Sequence, residues 1–225
     1  MKHVYTGKTK DVFDNGDGTY TMKLKDDATG KDGVFDPGEN QVGLTIEGLG
    51  RESLRLTEYY FRKLAATGVP THFVDCNIDE VTMKILPAEM FGKGIEFVCR
   101  RLSWGSFVRR YGQYTTQGEN LDYLVEVTLK SDEREDPPIT QESLVALGIM
   151  TDEEYAECHR LTREVARLIH EDLTTHGLEL ADIKVEIGRC GGKISIIDEF
   201  SAGVMRALRN GEVVQPMELA KVILG

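Results

Sequence analysis

Cysteine is scarce and proline scarcer: the 225 residues hold four of one and six of the other. Cys76, Cys99, Cys158 and Cys190 show no Cys-x-x-Cys spacing, which argues against a zinc ribbon and against a disulfide-stapled scaffold. They read as buried or idle thiols. With 40% hydrophobic residues, so little proline fits a folded globular chain and not a disordered one. No apolar run exceeds a few residues, far short of a bilayer span. Met1-Lys2-His3-Val4 lacks the apolar core of a signal peptide, so a cytoplasmic protein is expected. The five histidines show no His-Glu-x-x-His or paired-ligand spacing, and neither Gly-x-Ser-x-Gly nor a Cys–His signature stands out. Basic charge is also in deficit, giving a net −11. That field disfavours nucleic acid and anionic membrane as partners. An anionic substrate would therefore need a local cluster of lysine and arginine.

What is present begins with strands. Residues 4–13 read as a strand pair broken at Gly7, and Asn15-Gly16-Asp17-Gly18 is a hairpin turn. Tyr20, Met22 and Leu24 alternate with Thr21, Lys23 and Lys25, the pattern of a half-buried strand. Residues 26–44, rich in Gly and Asp, read as a long loop. A helix is expected over 51–66, ended by Gly68 and Pro70. Strands return over 71–99, where Val81, Met83 and Ile85 alternate with Thr82 and Lys84. The acidic stretch 131–138 closes on Pro137-Pro138 and reads as a junction. Thr151-Asp152-Glu153-Glu154 is a capping box. It opens an amphipathic helix with Tyr155, Cys158, Leu161, Val165, Leu168 and Ile169 on one face, stopped by Gly177. No internal repeat is visible. Strands first, then strands mixed with helices, predict an α+β fold.

The chemistry concentrates in a last hairpin. Ile183, Val185 and Ile187 alternate with Asp182, Lys184 and Glu186, and glycines 188, 191 and 192 lead into an apolar run, 194–197, that ends at Asp198-Glu199. Three ionisable groups on one strand face are costly unless water, ions or a ligand covers them. Pairing Glu186 near Ile196 would put Lys184 near Asp198 on one face; a one-residue slip would put Asp198 on the other unless a bulge restores it. A lysine between two carboxylates beside a glycine-rich turn suits a Mg-nucleotide, with Glu186 and Asp198 as oxygen ligands. A solvated sheet face is the alternative.

Two further segments bear on phosphate. In Tyr5-Thr6-Gly7-Lys8-Thr9-Lys10, Gly7 allows close backbone approach and both lysines share a parity. The segment is not a P-loop, since it lacks the earlier glycine and lies between strands; two surface lysines in a turn are the alternative. From Arg100 to Arg110 stand four arginines and two serines around Gly105, the best anion-binding cluster in an acidic chain. A solvated basic helix is the other reading.

Together these segments resemble the SAICAR synthetase family, phosphoribosylaminoimidazole-succinocarboxamide synthases of purine biosynthesis. YTGKTKDVF with KDDATGKDG, then IEFVCRRLSWGS, VEVTLKSDEREDP, and LADIKVEIG followed by Asp198-Glu199 match in order across nearly the whole chain. The resemblance implies a two-lobed α+β fold with antiparallel sheets, residues 1–90 forming a β-rich nucleotide lobe and 91–225 a substrate and metal lobe, with ATP in the cleft. It implies that Lys8, Lys10, Lys130 and Glu186 contact ATP, with Lys84 a further candidate. Glu186 and Asp198 would hold Mg²⁺. Lys184, Glu186 and Asp198 would serve catalysis, and Arg100, Ser106, Lys184 and Arg206 would engage a phosphorylated carboxylate. Where the family has Pro-Asp after Asp-Glu-x-Ser, Ala202-Gly203 stand here, so Asp136 or Asp182 is expected to supply the missing carboxylate. Arg101 and Trp104 replace small or amide residues beside the anion-binding turn.

The implied reaction is ATP-driven amide formation through an acyl phosphate, from an anionic small-molecule carboxylate and an amino acid amine such as aspartate, in a homo-oligomer. The rivals are a related ligase with another acceptor, a small-molecule kinase and a non-catalytic nucleotide-binding paralogue.

Overall fold

The computed structural model describes residues 1–225, the side chain of Asp132 excepted. In chain order come β1 (Lys2–Thr6), β2 (Lys10–Asp14), β3 (Tyr20–Leu24), β4 (Asp27–Lys31), β5 (Val34–Phe35) and β6 (Val42–Thr45). Next are α1 (Leu49–Thr67), β7 (Phe73–Asn77), β8 (Thr82–Ile85), β9 (Glu89–Met90), β10 (Ile95–Leu102), α2 (Ser106–Tyr111) and β11 (Asn120–Leu129). The rest is α3 (Gln141–Ala146), α4 (Asp152–Thr175), β12 (Glu179–Cys190), β13 (Lys193–Ile197), β14 (Met205–Arg209), β15 (Glu212–Val213) and α5 (Pro216–Leu224).

A five-stranded antiparallel sheet runs β1-β2-β3-β8-β7. Its β2–β3 turn is the expected hairpin: Asp14 accepts from the Gly16 N–H at 2.7 Å, and Gly16 and Gly18 take φ of 77° and 84°. Met22, Leu24, Met83 and Ile85 are buried on one face, while Lys23 is exposed on the other. The segment expected to be a loop is instead a small sheet, β5-β4-β6. Gly30 and Gly43 explain why it was hard to see. A Cβ on Gly43 would lie 2.3 Å from the Gly30 carbonyl carbon, so these short strands cross where side chains cannot fit.

The larger sheet runs β11-β10-β12-β14-β15, with β9 and β13 also paired to β12. Helix α4 covers one face. Thr151 and Glu154 form the reciprocal capping box, and Cys158, Leu161, Val165 and Ile169 are fully buried. Each such aliphatic side chain contributes about 1.5–3 kcal/mol of burial. Ile183, Val185 and Ile187 face that helix, so by strand alternation Asp182, Lys184 and Glu186 face the other way. One apolar cluster runs from Met22 and Met83 through Tyr60, Phe61 and Phe200 to Phe97 and Val165, tying both sheets and α1 into a shared core.

Candidate active site

A cleft of about 1030 Å³ lies between the two sheets. Its apolar wall is Val12, Met22, Leu24, Ile85 and Met90; its polar end gathers Lys8, Lys10, Lys130, Lys184, Glu186 and Asp198.

The hairpin that supplies the carboxylates is set one residue away from the expected register. Glu186 pairs with Ile197, not Ile196. The cause is a two-residue turn: Cys190 pairs with Lys193, and Gly191 and Gly192 both take positive φ, 56° and 81°. Strict alternation would then send Asp198 to the face of Val185. The ladder ends at Ile197, however, and Asp198 turns into the left-handed region at φ 71°. A non-glycine residue there costs on the order of 1 kcal/mol or more and needs support from its surroundings. His72 provides some: its Nε2 lies 2.9 Å from the Asp198 carbonyl oxygen. Burial pushes the His72 pKa down to about 4, so the ring is neutral near pH 7.

The turned carboxylate meets a lysine network. Lys10 Nζ donates to Asp198 and lies 3.0 Å from Glu199 Oε1. Lys130 Nζ lies 2.6 Å from Glu186 Oε1, and Lys184 Nζ 3.0 Å from Glu96 Oε1. Burial opposes the charge of Lys10, but Asp198, Glu199 and Glu186 outweigh it and raise its pKa. Lys130 is raised against burial by Glu186 and Asp198. Burial and the Asp198 charge raise the Glu186 pKa, against Lys130 and Lys10. Asp198 is held below the usual carboxylate range, since Lys10 and Lys130 overcome the burial penalty. All four groups titrate as one set.

The second cluster lies beyond the Ser201–Gly203 end. Arg100 donates to Asp182 at 3.0 Å and to Ser106 Oγ at 3.0 Å, and it also pairs with Glu126. Arg206 Nη1 donates to both Asp182 oxygens, at 2.9 and 2.8 Å, and Nη2 to Asp36 at 2.6 Å. The structure thus gathers Arg100, Ser106, Asp182 and Arg206, as the sequence predicts. None of these four is among the described residues that line the cleft.

Three expectations need correction. Lys84 faces away from the cleft and reaches Asp17 Oδ2 at 3.1 Å; its neighbours Met83 and Ile85 own the cleft-side parity. The Arg100–Arg110 segment is not one anion cluster, because Arg101 leaves on the opposite strand face toward Glu179, 3.4 Å away, while Arg110 binds Glu126. Asp136 lines the cleft but accepts from the Ser131 N–H at 2.7 Å, so Asp182 and Asp36, not Asp136, carry negative charge to the arginines. Asp132 of the same motif lies outside the described side chains. Sequence reasoning gave no role to Glu96, Glu199, His72 or Asp36. Glu199 beside Asp198 was a visible signal; the others depend on strand pairing and long-range contact.

Lysines converging on buried carboxylates, in a roomy cleft between two antiparallel sheets, define an enzyme that handles a nucleoside phosphate. The comparisons make this specific. The chain belongs to the SAICAR synthetase family, ATP-dependent ligases of purine biosynthesis, whose family model matches residues 3–219. It is 51% identical to the phosphoribosylaminoimidazole-succinocarboxamide synthase of Clostridium tetani over 100% of both chains. The enzyme of that name from Thermotoga maritima is 34% identical, over 93% of this chain and 86% of its own. Among solved structures, a SAICAR synthetase in complex with ADP aligns at TM-score 0.86 and 25% identity, covering 99% of this chain and 97% of its own. Another SAICAR synthetase structure aligns at TM-score 0.81 and 32% identity, covering 93% and 87%.

Proposed function

We propose that this chain joins an aminoimidazole ribotide carboxylate to the amine of aspartate at the expense of MgATP. The observation that carries the reading is the buried Glu186–Asp198 pair with Lys10 and Lys130 at the polar end of the cleft. Support also comes from the relatives, which bear the synthase name, and from the neighbour titled as an ADP complex.

The donor set fits Mg²⁺. That ion uses one or two carboxylates and completes its shell with phosphate oxygens and water. Among the described residues no group of three or more His, Cys, Asp or Glu gathers, so a dedicated protein cage is not what the site offers. Glu186 and Asp198 would hold the ion, which when bound supplies charge neutralisation on the nucleotide phosphates.

In this reading residues 1–90 form the nucleotide lobe, with Lys8 and Lys10 on the β1–β2 turn facing the phosphates. Residues 91–225 form the substrate and metal lobe. A carboxylate oxygen of the first substrate attacks the γ-phosphorus and ADP leaves. The amine nitrogen then attacks the acyl carbon, its proton passes to solvent, and inorganic phosphate leaves. Lys10 and Lys130, held charged by their carboxylate neighbours, stabilise the transferring phosphoryl group. Lys184 is placed to orient the acceptor. Positioning and charge neutralisation suffice, and no side-chain nucleophile is needed.

The reading carries a cytoplasmic setting and a homo-oligomeric assembly, the latter open to sedimentation. The test of the activity is phosphate release with the ribotide carboxylate and aspartate, singly and together. The ligase releases phosphate in stoichiometry with amide only when both are present. Phosphate retained on one acceptor indicates a kinase, turnover with other pairs alone a different ligase, and nucleotide binding without turnover a non-catalytic relative.

A further inference from the structure

The arginine pair assigned to the substrate's anionic group is fully occupied by the protein itself. Arg100 has its partners within or beside the large sheet: Glu126, Asp182 and Ser106. Arg206 spends Nη1 on Asp182 of the adjacent strand. Its Nη2 is different. The acceptor there is Asp36, which comes from the small β4–β6 sheet, 170 positions away in sequence. Asp36 also stands apart in exposure, at 34% against 4% for Asp182 and 9% for Arg206. Water can therefore reach the Asp36 side of the guanidinium and not the Asp182 side.

The segment that carries Asp36 is shaped for this contact. Asp36 is anchored through its N–H to the Thr29 carbonyl at 3.1 Å, and its Oδ1 accepts from the Gly38 N–H at 2.8 Å. Gly38 lets the backbone lie flat on the guanidinium: a Cβ there would sit 2.3 Å from Arg206 Nη2. Gly105 approaches from another side, where a Cβ would be 2.9 Å from the same atom. Meanwhile Phe35, Pro37, Glu39 and Asn40 line the cleft. The strap thus separates the cleft from the arginines, with one carboxylate turned inward against a bidentate-capable donor.

We propose that Asp36 is a gating residue: its carboxylate holds the place on Arg206 Nη2 that the substrate's anionic group takes, and the strap 34–41 lifts as that group displaces it. The proposal rests on the reading of Arg206 as an anion anchor. Its physical content is competition between two anions for one guanidinium edge. An internal carboxylate lowers apparent substrate affinity by the free energy of its own ion pair, while keeping the arginine desolvated and preorganised. It also couples occupancy of the anchor to the wall of the nucleotide cleft, because the same strap forms both.

The test uses Asp36→Asn in the full chain. The amide oxygen can still accept from Gly38, so the turn is retained while the charge is lost. Binding of ribose 5-phosphate is measured by calorimetry in the wild type, Asp36→Asn and Arg206→Gln, with Trp104, the sole tryptophan and the neighbour of Gly105, as a fluorescence reporter. The expected result is Arg206-dependent binding in the wild type and about fivefold tighter binding in Asp36→Asn, the scale of a partly exposed ion pair. In the complete reaction, KM for the phosphorylated carboxylate should fall in the same proportion. Unchanged or weaker binding in Asp36→Asn, with Arg206 dependence intact, overturns the gate and leaves the ligase reading standing. Binding that ignores Arg206→Gln overturns the anchor itself, and the gate with it.

Discussion

Replacing Lys10 with methionine isolates the electrostatics of the polar end, since the aliphatic stem is kept and only the ammonium is removed. In the native protein that ammonium touches Asp198 and lies 3.0 Å from Glu199, with Glu186 also raising its pKa. The side chains are largely sequestered, at 15% exposure for Lys10, 12% for Asp198 and 6% for Glu199. Breaking a buried pair by removing one partner costs about 3–5 kcal/mol, because the remaining charge stays desolvated. Lys130 and Lys184 still act on Asp198, so the lower end is expected, about 3 kcal/mol. For a chain of this size that lowers Tm by about 6–12 °C. Added Mg²⁺ should restore part of the loss, and should raise the Tm of Lys10→Met more than that of the wild type, since a cation then replaces the missing charge. The assay is thermal unfolding across a Mg²⁺ series. A variant that melts with the wild type, or one equally indifferent to Mg²⁺, refutes the view that Lys10 balances a cation-binding carboxylate set.

Other outcomes follow from single features. Glu186→Gln keeps shape and removes charge, so turnover should fall by about 100-fold or more and the Mg²⁺ requirement should shift, as seen in steady-state rates against Mg²⁺. Thr151→Ala removes half of the capping box and should cost about 1 kcal/mol, or about 2–4 °C in Tm. Gly43→Val drives a side chain into the Gly30 backbone and should cost about 2–3 kcal/mol in denaturant unfolding, whereas a true loop would tolerate it. Burial pushes the Cys99 and Cys158 thiols up to about 12, so below that pH the reactive thiolate is scarce. Intact-mass labelling with iodoacetamide at pH 8 should be slow at both in the native protein and rapid after unfolding.

Local signals were legible wherever one segment carries its own geometry. The Asn15–Gly18 turn, the Tyr20–Leu24 alternation, the capping box and the polar face of Asp182, Lys184 and Glu186 all depend on neighbours in sequence. The hairpin register was within reach as well. Gly191-Gly192 occupies both left-handed positions of a two-residue turn, which fixes Cys190 opposite Lys193 and hence Glu186 opposite Ile197. What parity could not reveal is the escape of Asp198 from its strand, held in part by His72 far back in the chain. The Lys84 assignment failed on a signal that was present, because Met83 and Ile85 mark the cleft-facing parity and Lys84 falls on the other. The small sheet was hidden by its glycines, which remove the side-chain alternation that identifies a strand. Asp36 on Arg206 had no sequence signal at all, being a contact between a supposed loop and a distant strand.

The central claim is amide formation through phosphorylation of a carboxylate at the Glu186–Asp198 end of the cleft. It is tested most directly by tracing oxygen. The ribotide is supplied with heavy-isotope oxygen in its carboxylate, with MgATP and aspartate, and inorganic phosphate is collected for mass analysis. Attack of the carboxylate on the γ-phosphorus followed by displacement at the acyl carbon transfers one labelled oxygen to each phosphate released, and Glu186→Gln should suppress that signal along with turnover. Phosphate that appears without label, or label that remains wholly in the organic product while phosphate is released, would contradict the account.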